Sequence, residues 1–256
     1  MDELIELLNR RSSEVQALST STLRVTFTSG RVDSGRLQSY RSAPGYLLLK
    51  KADRLRLNVQ NPITRTTIVD LASVEDRFVV WLPRDNRLYE GRNSAAGFEL
   101  DSGPTFSARP LHILEAIMPA SVARDGPRVR VSLKEERDAA NKYYILSLYR
   151  DAQDDRLEPI RDIWIERANL TVARQEFFTP AGEIVSNVTY SGWTEAGPSQ
   201  MPLRIVIDRP VDGYSLDLQF KSWNVNPDLP QDAFTLQPPQ GAERVRLREK
   251  GMGGSR

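Results

Sequence analysis

The chain has 256 residues, enough for a core that removes roughly 70–75 % of its extended surface from water without covalent staples. Lys+Arg 35 against Asp+Glu 34 leave a net charge of +1, which excludes the chain-wide cationic field of a nucleic-acid binder, and 27 % charged residues are too few for wholesale disorder. Zero cysteines exclude disulfides and thiolate chemistry, and a single histidine, His112, excludes the two-histidine zinc helix.

The opening MDELIELLNRR is acidic and amphipathic, unlike the basic-then-apolar pattern of a secretory signal. Leu4, Leu8, Val15 and Leu18 share one stripe at helical period, widened by Ile5 and Leu7, and predict an amphipathic helix that needs a surface to pack on. After Thr20 the period changes to two. Leu23, Val25 and Phe27 alternate with polar residues, as do Leu55, Leu57 and Val59, then Phe78, Val80 and Leu82. Turn signals, Asn61-Pro62 and Pro83–Asn86, punctuate them.

The stretch 93–108 reads as loop, and PLHILEAIMPAS as a helix with Leu111, Leu114 and Met118 on one face, ended by Pro119. Alternation resumes at Val129, Val131 and Leu133, at Tyr143, Ile145, Ser147 and Tyr149, and at Ile184, Val188 and Tyr190. It continues at Leu203, Ile205 and Ile207 and is cleanest at Tyr214, Leu216, Leu218 and Phe220, with turns at 180–182 and 210–213. Strands with one dry and one wet face indicate antiparallel sheet. The expected class is mainly β with few helices (α+β), one domain over residues 1–245 and a disordered tail over 246–256.

Motifs for catalysis are sparse. The acids Asp151, Asp154, Asp155 and Glu158 cluster in one loop, where solvation is the ordinary role; no Gly-rich phosphate cradle or nucleophile elbow occurs. Arginines at alternating positions, Arg54 and Arg56 or Arg128 and Arg130, decorate wet strand faces. Trp81, Trp164, Trp193 and Trp223 lie in or beside strands; periodicity alone leaves open whether the sheet encloses a filled core or a hollow one.

The run RLRLNVQNPITRTTIVDLASVEDRFVVWLPRDNRLYEG resembles the strand–turn–strand block of the LolA- and LolB-type bacterial lipoprotein-localisation proteins. WIERANLTVARQEFFTPAGEIVSNVTYSGW and MPLRIVIDRPVDGYSLDLQFKSWNVNPDLPQDAFTLQPPQG extend the resemblance from about Asp2 to Gly241. It implies a half-open antiparallel β-barrel covered by the N-terminal and central helices. It also implies non-enzymatic binding of lipoprotein acyl chains or other lipid, without cofactor or metal, for delivery to the outer membrane. On this basis Leu57, Val59, Ile68, Phe78, Val80, Tyr143, Ile145, Leu216, Leu218 and Phe220 are expected to line the cavity, and Leu111, Leu114 and Met118 to close it. Ile63, in the turn after Asn61-Pro62, resembles the receptor type's membrane-contacting residue, whereas Lys50 and Lys51 stand where the carrier type has a lid-holding arginine.

The block is therefore more similar to the receptor. The implied partners are a periplasmic carrier protein and the inner leaflet of the outer membrane, with no nucleic acid; the implied state is a monomer in the periplasm or on the outer membrane facing it. Any signal and anchor cysteine are expected upstream. A sensing or protein-interaction module with a vestigial cavity is the alternative, and a carbohydrate-active enzyme on a β scaffold is the third reading.

Overall fold

The computed structural model describes residues 1–29, 38–51, 53–94, 109–126, 128–152, 156–237 and 240–247. Helix α1 (Asp2–Glu14) leads into β1 (Ala17–Ser29), β2 (Gln38–Lys50), β3 (Arg54–Gln60), β4 (Thr67–Val74), β5 (Arg77–Leu82) and β6 (Arg87–Arg92). Helix α2 (Pro110–Ile117) separates these from β7 (Val129–Arg137), β8 (Lys142–Asp151), β9 (Leu157–Glu166), β10 (Val172–Phe178), β11 (Ile184–Ala196), β12 (Ser199–Arg209) and β13 (Tyr214–Phe220). Two short strands follow, β14 (Asn224–Val225) and β15 (Glu243–Arg246).

The described strands form one open sheet in the order β15-β6-β5-β4-β3-β2-β1-β13-β12-β11-β10-β9-β8-β7, with β14 against the start of β1. Every pairing is antiparallel except β15 on β6. Such a sheet must curl to bury its apolar face. Its bend is marked at β1–β2, where the register slips between Thr20 and Leu23 and again between Val25 and Phe27. Pro44 and Gly45 sit at this irregularity; a β-carbon on Gly45 would lie 2.3 Å from the Asn58 carbonyl oxygen. A central strand tolerates proline at such bulges because the ladder is already broken there.

The register defines the concave face. Leu23, Val25 and Phe27 stand opposite Phe220, Leu218 and Leu216, and Leu57 lies between Leu47 and Leu71. These side chains form one core with Val59, Phe78, Val80, Ile205 and Ile207, and α2 presses Ile113 and Ile117 into it. Each such aliphatic chain contributes about 1.5–3 kcal/mol by leaving water. A second cluster lies under α1, where Leu8 meets Leu146, Leu148, Ile163 and Ile165.

Two expectations are corrected here. The helix stripe through Val15 and Leu18 ends earlier: α1 stops at Glu14, Val15 is extended with φ −103 and ψ 107, and Leu18 belongs to β1. The run Ser19-Thr20-Ser21-Thr22 favours extended backbone. In β8 the phase is opposite to that expected, because Tyr144, Leu146 and Leu148 face inward and Tyr143 and Ile145 outward. The segment YYILSLY is apolar on both faces, so alternation gives no phase. The loop acids Asp154 and Asp155, most of the 93–108 loop and the terminal GMGGSR lie outside the described residues.

Candidate binding cavity

Helix α2 begins with Pro110 at its first position and ends at Met118 ahead of Pro119, both suited to helix boundaries. Eight residues do not hold as a helix in water. This one is held by burial of Ile113, Leu114, Ala116 and Ile117 against the concave face. Side chains of the sheet also bind its last turn. The Tyr190 hydroxyl donates to the Ala116 carbonyl at 2.9 Å, and Gln175 Nε2 donates to the Tyr190 oxygen at 2.6 Å.

Behind this pair stands Arg161, 4 % exposed. It donates to Gln175 Oε1 at 2.8 Å, to the Ser121 carbonyl at 2.5 Å and to Asp125 Oδ2 at 2.5 Å, with its guanidinium 5.7 Å from the centre of the Phe177 ring. A buried cation is tolerated when it is paired and hydrogen-bonded. The chain Asp125–Arg161–Gln175–Tyr190 therefore ties β9, β10 and β11 to both the end of α2 and the turn that follows it. Lys50 Nζ donates to the Leu229 carbonyl at 3.1 Å, and Lys51 Nζ donates to the Ser12 carbonyl at the end of α1.

Space remains on either side of α2. One cavity of about 350 Å³ lies between the helix and β9–β11, lined by Leu111, Ile160, Phe177, Phe178 and Val188 and by the charged Glu115, Arg150, Glu158 and Arg209. The other, of about 320 Å³, lies towards β4–β6 and is bounded by Ser73, Glu75, Asn93, Pro110, Leu111 and Leu114. Leu111 borders both. A third gap of about 40 Å³ lies by Leu8, Met118, Tyr190 and Trp193, little more than room for a water.

His112 forms part of the first cavity's wall, its Nδ1 3.1 Å from the Tyr214 hydroxyl. Burial, with Arg209 and Arg109 nearby, pushes the imidazole down to about 3, so it is neutral at ordinary pH. Burial pushes the Tyr214 phenol up, so it stays protonated. Arg209 is paired with Asp212 at 2.8 Å.

Seven of the predicted lining residues, Leu57, Val59, Phe78, Val80, Leu216, Leu218 and Phe220, do share the concave core. They border neither of the two larger cavities, because Ile113, Ile117 and Met118 already pack on them. Ile68 is turned to the outer face at 39 % exposure; Val69 and Leu71 take the inward positions of β4. Tyr143 and Ile145 stand on the other face of β8, stacked or paired with Trp164, over which Arg174 lies at 3.7 Å; Ile145 is fully buried there. Of the expected lid residues, Leu111 and Leu114 border cavity space and Met118 is buried. Ile63 is 89 % exposed at the tip of a turn in which Asn61 Oδ1 accepts from the Ile63 and Thr64 amides at 2.9 and 3.1 Å.

The comparisons with known proteins agree with this geometry. Residues 185–248 match the family model described as "Predicted periplasmic protein (DUF2092)". No curated protein matches the chain. Among solved structures, a DUF1329 family protein from Desulfovibrio piger aligns over 91 % of this chain and 95 % of its own, with TM-score 0.59 and 14 % identity. A LolA superfamily protein from Nitrosomonas europaea covers 91 % and 97 % at TM-score 0.53 and 13 % identity. A domain named for outer membrane lipoprotein sorting, from Vibrio parahaemolyticus, covers 91 % and 95 % at TM-score 0.56 and 12 % identity. At such identities the likeness is one of fold, and the fold is LolA-like: a large, open, mostly antiparallel sheet with helices on its concave side.

Proposed function

We propose that the chain is a non-catalytic acyl-chain binder of the bacterial periplasm, which takes a lipoprotein or lipid chain beside α2 and gives it up at the outer membrane. The observation that carries this reading is the cavity of about 350 Å³ with its wall of Leu111, Ile160, Phe177, Phe178 and Val188. Its volume falls at the lower end of the roughly 300–1,000 Å³ that small-ligand sites occupy, which suits one chain. Each methylene moved from water into such a space contributes about 0.8 kcal/mol, so affinity differences between successive holders can direct the transfer without fuel. Displacement of α2 would add the second cavity and bare the seven core residues beneath it. The periplasmic description of the matched family model supports the compartment, and the lipoprotein-sorting name of a structural neighbour supports the cargo class. The exposed Ile63 turn supports a receptor-like contact with the outer membrane.

The test is titration of the intact protein with a fluorescent fatty acid. Leu111→Trp places an indole where both cavities meet, at a half-buried position. The expected outcome is at least a tenfold loss of probe affinity with an unchanged thermal midpoint. An unchanged affinity, or no binding by the parent chain, overturns the proposal and favours the interaction-module reading, to which the close seating of Ile113 and Ile117 already lends support.

A further inference from the structure

Among the described residues, four charged side chains line the larger cavity, Glu115, Arg150, Glu158 and Arg209, two of each sign. Two of these are committed within the chain: Arg209 is paired with Asp212 at 2.8 Å, and Glu115 has an interaction of its own. Arg150 and Glu158 differ. They stand directly opposite each other on β8 and β9, a placing that sets β-carbons about 4.5–5.5 Å apart. Yet they form no ion pair with each other, and neither has a side-chain hydrogen-bond partner among the described residues. Arg150 is exposed and Glu158 half-buried, so this pair marks the cavity's rim.

His112 supplies the same cavity with a donor that carries no charge. The Tyr214 oxygen accepts from the Arg109 main-chain N–H, and the one acceptor described for its own O–H is His112 Nδ1 at 3.1 Å. A buried phenol hydroxyl needs such an acceptor. The imidazole therefore carries its proton on Nε2, which has no partner among the described residues. The lining thus offers a free cation and a free anion side by side at the rim, a neutral donor, and the apolar wall of Leu111, Phe177 and Val188.

We infer that this cavity holds a phospholipid whose head group joins a phosphate to a primary amine, the phosphate on Arg150 and the ammonium on Glu158. The guanidinium presents paired N–H groups to phosphate oxygens, and the carboxylate accepts from an ammonium N–H. In an ethanolamine head the two charges are separated by two carbons and an ester oxygen, a span of the same order as the cross-strand spacing. A fatty acid or a glycerol phospholipid answers Arg150 and leaves Glu158 facing a like charge; a choline head has no N–H to donate. Since the four lining charges cancel, the selection comes from their placing and not from a net field. A glyceryl ester oxygen is the acceptor that His112 Nε2–H lacks. The inference rests on the acyl-chain reading of the same cavity and narrows its cargo to one class of lipid.

The test is displacement of the uncharged probe N-phenyl-1-naphthylamine from the intact protein by single-chain phospholipids of equal chain length, below their micelle concentrations. The ethanolamine lipid is expected to bind at least tenfold more tightly than the glycerol and choline lipids. Glu158→Gln should abolish that preference, and Arg150→Gln should weaken all three lipids about tenfold, both with probe affinity and thermal midpoint unchanged. Equal affinity for the three lipids, or a preference that survives Glu158→Gln, overturns the inference while probe binding keeps the acyl-chain reading. A parent chain that binds neither probe nor lipid overturns both.

Discussion

His112 is a titratable group enclosed where it cannot readily take a proton. In the unfolded chain an imidazole protonates near 6.5, whereas here burial beside Arg209 and Arg109 lowers it to about 3. Between these values the unfolded state binds a proton that the folded state does not, so stability is intact above about 6.5 and falls as the pH drops. The expected outcome is a thermal midpoint that declines on acidification from pH 7 to 4.5 more steeply in the parent chain than in His112→Gln. Parallel midpoint-against-pH curves for the two would show that the imidazole protonates freely. Arg161 illustrates what a strand pattern discloses about single residues. Counting back by twos from Ile165 and Ile163 places it on the dry face, an anomaly legible in the sequence. Its partners are not legible there, because Ser121 and Asp125 lie 40 and 36 residues away.

Among the elements, α2 is the one whose stability is borrowed. With Pro119 directly after Met118 and no side-chain cap at its start, it relies on Ile113 and Ile117 below and on the Tyr190 hydroxyl at its end. Tyr190→Phe deletes the bond to the Ala116 carbonyl and takes the Tyr190 acceptor from the buried Gln175 Nε2, at a cost of about 1–3 kcal/mol. The expected outcome is faster amide hydrogen exchange at Ile117 and Met118 with little change over β1–β3. Exchange that is uniform across the molecule would mean that the helix opens only on global unfolding. Patterning disclosed elements unevenly. Strands with one wet face, such as Leu216–Phe220, were readable to the residue, and so were the turns at 83–86 and 210–213. Beta 2 was not, because Pro44-Gly45 reads as a turn until the neighbouring bulge accommodates it, and β8 was assigned the wrong phase because both its faces are covered.

For the molecule as a whole, the sheet's two outer strands are protected differently. At one edge β15 runs parallel to β6, with Arg87–Glu243 and Arg244–Glu90 pairs along the seam. At the other, β7 has no further described neighbour and carries Lys134, Glu135, Glu136 and Arg137, charges that discourage edge-to-edge pairing. A chain ended after Gly241 loses β15 and bares β6, whose buried Leu88 and Tyr89 lie in the pairing strand. The expected outcome is concentration-dependent association in sedimentation velocity while the full chain stays monomeric; a monomeric truncated chain would show that β6 protects itself. Antiparallel sheet followed from alternation and turn spacing, whereas its half-open form came only from the family resemblance. The location of the free space followed from neither, since how deeply α2 sinks into the concavity depends on contacts between residues far apart in sequence.

Leu111 is a party wall. It borders the chamber on each side of α2, and a helix this short cannot yield in both directions at once. A guest that pushes it one way narrows the room on the other. On the proposed acyl-chain reading, two occupants would therefore compete through the partition without ever touching, and the pair of spaces would serve as a single berth.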